Sequence, residues 1–362
     1  MQYGTGAAIT LQFDHTSAKL PHVISARLAC VLPPSLRFAD RLSTSAAHWL
    51  ALRRPHSTPG TMTMPPHLGL VCTTNSTEVR YRTLTRKRLL ELGPGQQHKQ
   101  LSEIFSANLQ SLDAALAYCE REGIGLYRIL SSIFPFADEE VGRAALQPLA
   151  APLARVGQRA LDSNIRLVMH PDQFVVLSSD SAEVVGNSIK ILQMHADIMD
   201  LLQQPRSPWA LLEIHGGKSN RSDALVERLA ALPDAIRLRL GLENDEYAYS
   251  AAQIHDVCTR SGVPMVFDAH HHIVHEGLSS YDDPSVAAML AQARATWAEP
   301  AHQLVHISNG RSRFNDRQHA DLIDVMPACY AHAPYIEIEA KAKEDAIRKL
   351  RRWQAGIDAT VR

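Results

Sequence analysis

Leu212-Glu213-Ile214-His215 is a short β-rich run that stops on a side chain able to bind a metal ion. Five other segments do the same: Val168-Met169-His170, Leu240-Gly241-Leu242-Glu243, Val266-Phe267-Asp268, Leu304-Val305-His306 and Ile336-Glu337-Ile338-Glu339. One histidine or carboxylate at a strand end is unremarkable and usually caps a helix or makes a polar contact. Six of them, spaced about 25–45 residues apart, are the pattern of parallel strands delivering ligands to one mouth of a closed barrel.

The chain from His67 onward keeps this alternation. Runs at 67–72, 125–130, 165–170, 210–215, 237–243, 263–268, 303–308 and 335–339 give eight strands. Helices are expected over 102–122, 143–163, 181–202, 223–232, 250–261, 284–295, 320–326 and 342–354. The first has Ser102 as N-cap, an apolar face of Phe105, Leu109, Leu112 and Leu116, and Glu122-Gly123 as its stop. A doubly wound open sheet is the rival, but no GxGxxG or Walker-type loop follows an early strand. The expected architecture is α/β, a (β/α)8 TIM barrel over 67–362 preceded by a poorly ordered extension over 1–66. That extension has Asp14 and Asp40 as its only acids. It reads as the product of a start codon set too far upstream, with a transit peptide as the alternative.

The 362 residues carry 37 Lys and Arg against 38 Asp and Glu, so the whole chain lacks the basic excess of a non-specific nucleic-acid binder. Cys30, Cys72, Cys119, Cys258 and Cys329 contain no CxxC pair. That argues against a disulfide scaffold or a thiolate zinc site and favours a reducing, cytoplasmic setting. No apolar run approaches the roughly 18 residues of a membrane span. Histidine is the oddity, with 18 in all and 14 at or after His67.

Imidazole and carboxylate together suit Zn²⁺, Mn²⁺ or Fe²⁺. Four such ligands complete one ion, so six strand ends and further histidines imply at least two ions. A carboxylate such as Glu243 can bridge a pair that activates water and stabilises a phosphoryl oxygen. His270-His271-His272 follows Asp268 directly, and on extended backbone at most one or two of these can face the same ion.

Several motifs occur in the order and spacing of the UV damage endonuclease family, which the chain resembles from about His67 to about Lys349. They are His170-Pro171-Asp172-Gln173-Phe174, Ile214-His215-Gly216-Gly217, Leu242-Glu243-Asn244-Asp245-Glu246, Phe267-Asp268-Ala269-His270-His271, Val305-His306-Ile307-Ser308, His319-Ala320-Asp321 and Glu339-Ala340-Lys341. The resemblance implies a TIM-barrel repair nuclease with a metal cluster similar to that of endonuclease IV. Such an enzyme nicks damaged double-stranded DNA immediately 5′ of cyclobutane pyrimidine dimers and (6-4) photoproducts, and often at abasic sites. It further implies that His170, His215 and Glu243 hold one ion, that Glu243, Asp268, His306 and Glu339 hold a second, and that His271 and His319 hold a third. The catalytic weight falls on Glu243, His170, Glu339 and Asp268. Two or three divalent ions are implied, manganese first, with zinc, cobalt or magnesium as alternatives. Gln173 and Phe174 resemble the family's pair that inserts into the duplex at the lesion. Two positions depart from the pattern: Gly69-Leu70 stands where many members have Gly-Tyr, and Leu304 where members commonly carry a modified lysine.

Local charge answers the neutral total in part. Lys218 and Arg221 follow the fourth strand, Arg311, Arg313 and Arg317 the seventh, and Arg80, Arg82, Arg86, Lys87 and Arg88 the first, so a phosphate track is expected on the metal face. The chain is expected to act as a monomer. A metal-dependent sugar isomerase or epimerase of the same barrel type, or a weakened barrel that only binds damaged DNA, stays open as an alternative.

Overall fold

A computed structural model describes residues 65–172 and 174–355, so residues 1–64 of the extension and Gln173 lie outside the described residues. Eight strands form: β1 (His67–Val71), β2 (Leu126–Ile129), β3 (Arg166–Met169), β4 (Leu212–His215), β5 (Leu240–Glu243), β6 (Met265–Asp268), β7 (Leu304–Ile307) and β8 (Tyr335–Ile338). They pair in parallel in sequence order, and β8 returns to β1, so the sheet closes as the TIM barrel expected. The strands are short and almost wholly buried because helices cover the outer face and side chains fill the inner one.

The period of two along each strand sorts the interior into layers. Leu126, Val168, Leu211, Val266, Leu304 and Tyr335 form a dry cluster together with Trp297. Two residues further along come Arg128, His170, Glu213, Asp268, His306 and Glu337, a polar layer stacked on the apolar one. Leu304 is thus part of the apolar floor, and Leu70 is buried in the larger hydrophobic core.

Arg166 plugs the base. Its guanidinium donates to the carbonyls of Trp209 (2.8 Å), Pro208 (2.7 Å) and His302 (2.9 Å). It also stacks over Tyr335 at 4.8 Å. Burial pulls its pKa down to about 10, which still leaves it charged near neutrality.

Three helix expectations need correction. The helix expected to start at Ser102 runs Pro94–Glu122, and Ser102 sits inside it with Oγ bonded to the His98 carbonyl. Pro94 occupies a first-turn position, where a missing N–H costs nothing. The single helix over 143–163 is two, Glu140–Leu146 and Ala150–Asp162, joined by a 3₁₀ turn at Gln147–Leu149 that contains Pro148. Residues 320–326 form no helix, because Asn309 pins them: its backbone carbonyl accepts from Ala320 N–H, and its Oδ1 accepts from Asp324 and Val325 N–H. Among the described residues no helix is long and apolar enough to cross a membrane.

Replacing Arg166 with Met keeps an apolar stem but strips donors from three partly buried carbonyls. The expected loss is about 3 kcal/mol in urea unfolding; an unchanged midpoint would show that the base does not depend on this cation.

Candidate metal centre

Glu243 ends β5 and is only 1% exposed. On one carboxylate oxygen, His170 Nε2 lies 2.9 Å from Oε2 and His215 Nε2 lies 3.7 Å from it. On the other, the Nδ1 atoms of His306 and His271 each stand 3.1 Å from Oε1. Strands β3, β4 and β7 and the helix after β6 therefore converge on one anion.

That helix, Ala269–Glu276, corrects the reading of the histidine triplet, which is helical rather than extended. Asp268 caps it by accepting from His271 N–H at 2.8 Å, so the strand-end carboxylate itself starts the turn. Successive rings then point about 100° apart. His271 faces Glu243, His270 bonds Tyr281 Oη and the Asp316 carbonyl, and His272 bonds Ser285 Oγ.

Three donor groups lie within 4.8 Å of one another: His170 with His215 and Glu243; Glu243 with Asp268 and His306; and Glu213 with His306 and Glu337. The first two bring together residues expected from the sequence. Glu339 stands 3.6 Å from His306 Nδ1, but Arg128 also holds its carboxylate at 2.6 Å. His319 comes within 3.7 Å of Glu339, and His271 Nε2 within 3.8 Å of Glu246. Glu213, Glu337 and Arg128 were not foreseen. The signal was present, since each lies two residues beyond an apolar floor position, and Glu213 and Glu337 lie two before a strand-end ligand.

The electrostatics ask for positive charge. Burial alone would raise Glu243, yet His306 and His215 with the hydrogen bonds from His170 and His271 hold it well below the usual carboxylate range. Burial likewise opposes the charged forms of His271 and His306, but the surrounding carboxylates push both well above an ordinary histidine. Burial and the neighbouring acids Glu213 and Glu339 raise Glu337 to about 7 against the pull of Arg128 and His306. Donor geometry fits resident cations too. His170 Nδ1 shares a hydrogen bond with the Pro171 carbonyl and His271 Nδ1 with that of Asn244, the arrangement that fixes a ligating ring. Asp268 Oδ2 and His215 Nδ1 are buried without a hydrogen-bond partner. The donor set therefore suits divalent ions.

Two clefts flank this centre at the mouth. One of about 490 Å³ is lined by Asp172, His215, Lys218, Glu246, Tyr247 and Arg317 among others. The other, of about 320 Å³, is lined by Arg128, His319, Glu339, Lys341 and Lys343 among others. Phe174 stands 73% exposed on the loop after β3. Arg317 lies 3.5 Å over the ring of Tyr247. Lys218 and Arg221 both pair with Asp180 and hold its carboxylate low. Arg311 donates to Gln318, and both Arg311 and Arg313 are exposed.

The sequence profile described as UV-endonuclease UvdE matches residues 66–361. The chain belongs to the UvdE family. A UV DNA damage endonuclease of Nostoc sp. is 54% identical over 290 residues, 80% of this chain and 90% of that protein. One from Deinococcus radiodurans is 47% identical over 289 residues, 79% of this chain and 95% of that protein. The crystal structure of SacUVDE superposes with a TM-score of 0.64 at 25% identity, covering 80% of this chain and 99% of that one. The UvdE match begins at the foot of β1, so the cluster around Glu243 falls wholly inside it.

Glu243→Gln keeps the shape of the side chain but removes the charge between four imidazoles. Manganese affinity, measured by titration of chelator-stripped protein, is expected to fall by roughly 100-fold with near-UV dichroism unchanged; undiminished affinity would exclude Glu243 as a ligand.

Proposed function

We propose that this UvdE-family chain is a metal-dependent endodeoxyribonuclease that nicks double-stranded DNA immediately 5′ of cyclobutane pyrimidine dimers and (6-4) photoproducts, with abasic sites as further substrates. One observation carries the reading: Glu243 stands among four imidazoles at the open mouth of the barrel, with Asp268 in reach of the same centre. In this assignment His170, His215 and Glu243 hold a first ion, while Glu243, Asp268 and His306 hold a second with Glu339 at its edge. His271 and His319 serve a third. Manganese is the first choice, and zinc, cobalt or magnesium can use the same donors.

Bound divalent ions supply acidification of water and neutralisation of charge on the scissile phosphate. The chain's own residues do the rest. Glu243, held ionised, keeps the rings of His170 and His215 turned toward one point. Arg128 orients Glu339 and Glu337 through one nitrogen, at 2.6 Å and 2.7 Å. Phe174, exposed beside the cleft, offers a face on which a displaced base can stack, with Gln173 next to it in the chain. Lys218, Arg221, Arg311 and Arg313 contribute cations for the phosphates on either side. The described cysteines are all free, in keeping with a cytoplasmic setting, and a monomer is proposed.

The test is an end-labelled duplex with a single photoproduct, incubated with chelator-stripped protein and each metal in turn. A nick at the first phosphodiester 5′ of the lesion is expected in Mn²⁺, with Glu243→Gln reduced by about 10³-fold or more. Turnover of a ketose or aldose panel without nicking would instead make the chain a sugar isomerase, and retention of the duplex without cleavage would make it a damage-binding barrel.

Phe174→Ala is expected to weaken incision of the photoproduct roughly tenfold, mainly through KM, with manganese content unaltered. Equal KM for wild type and variant would remove Phe174 from lesion recognition.

A further inference from the structure

Glu213 and Glu337 lie on the inner side of His306, the ring they share with the mouth cluster, and all three residues are fully buried. They belong to strands β4, β7 and β8, and His306 faces Glu337 across the β7–β8 register. His306 Nε2 comes within 2.8 Å of Glu213 Oε2 and 3.3 Å of Glu337 Oε2. These are close contacts without aligned hydrogen-bond geometry: Nε2, both oxygens of Glu213 and Oε1 of Glu337 have no well-aligned partner. Buried polar atoms drawn this close without alignment are costly unless a cation lies among them.

We propose that Glu213, His306 and Glu337 form an enclosed divalent-cation site beneath the mouth, separate from the ions assigned to Glu243. Donors held about 2.0–2.2 Å from a shared zinc-like ion stand about 3–3.5 Å apart; the Glu337 contact at 3.3 Å has that spacing, and the Glu213 contact at 2.8 Å needs to open by a few tenths of an ångström to admit an ion. Two carboxylate oxygens and one imidazole nitrogen suit Zn²⁺ or Mn²⁺. Charge points the same way. The polar layer gathers five carboxylates, Glu213, Glu243, Asp268, Glu337 and Glu339, and the one guanidinium bonded to any of them is that of Arg128, while Arg166 below the apolar floor spends its donors on backbone carbonyls. Arg128 reaches Glu337 and Glu339, which leaves Glu213 with no permanent cation bonded to it.

The lower site is closed to solvent, and with both Glu213 oxygens unpartnered the second of them can supply the fourth donor of a closed, structural site. Its effect on the mouth runs through one ring. His306 presents Nε2 downward and Nδ1 upward to Glu243, and with cations on both sides the imidazole gives up its N–H proton to solvent as metal enters. Glu213 and Glu337 are then positioning residues for His306.

The deciding measurement is anomalous diffraction from crystals of the full chain, stripped with chelator and reloaded with Mn²⁺ or Zn²⁺ alone. A peak about 2.0–2.3 Å from Glu213, His306 and Glu337 donors is expected. Metal counting in solution should also show Glu213→Gln retaining one ion fewer per chain than wild type, with the peaks at Glu243 preserved. Peaks at the mouth and none below would overturn the proposal and leave a proton between His306 and the two acids. So would equal metal content in wild type and variant. A lower peak without mouth peaks would sustain this site while sinking the nuclease assignment above it. If Glu213→Gln does not fold, the wild-type diffraction alone decides.

Discussion

A carboxylate cut off from water must be surrounded by donors or cations, and Glu243 imposes that requirement on the entire mouth. Its neighbours come from β3, β4, β7 and the helix after β6, which with β5 itself make up the arc from β3 to β7 of the cylinder. The curvature of the closed sheet turns the ends of those strands toward one point. Closure is therefore a condition of the centre and not just its container, and the dry floor under the polar layer holds the strands at the right spacing. Arg166 completes that floor from below by taking up carbonyls that no strand partner reaches.

The eight strands were legible because each is a buried run of Val, Ile and Leu bounded by helical sequence. Their ends fell within three residues of expectation, the largest shift being 237–243 against Leu240–Glu243, where Arg237 instead ends a short helix. The start of the long helix was hidden by Gly95-Gln96-Gln97-His98-Lys99-Gln100, which shows no apolar period although it is helical. The 320–326 segment failed for the opposite reason, since a distant asparagine and not local propensity sets its path. Strand-end ligands were visible as chain positions. The acids one pleat deeper were not, because polar residues inside an apolar run look like outward-facing ones until the barrel direction is known.

Family membership and geometry answer different questions. The profile match and the Nostoc and Deinococcus relatives place the chain in its family. The arrangement of rings and carboxylates says which side chains share a centre. Leu70 and Leu304, the two departures from the family pattern, both turn out to be packing residues that touch neither cleft at the mouth.

The clamp of Asp180 on Lys218 and Arg221 sets the terms on which this side of the rim meets a polyanion. A phosphate arriving there does not find bare cations; it has to displace a tethered carboxylate that already plays its part. The exchange gains little enthalpy and releases fewer condensed counterions than two open cations would. Ionic strength should therefore weigh less on any polyanion contact on this side than on one at the arm that carries Arg311 and Arg313.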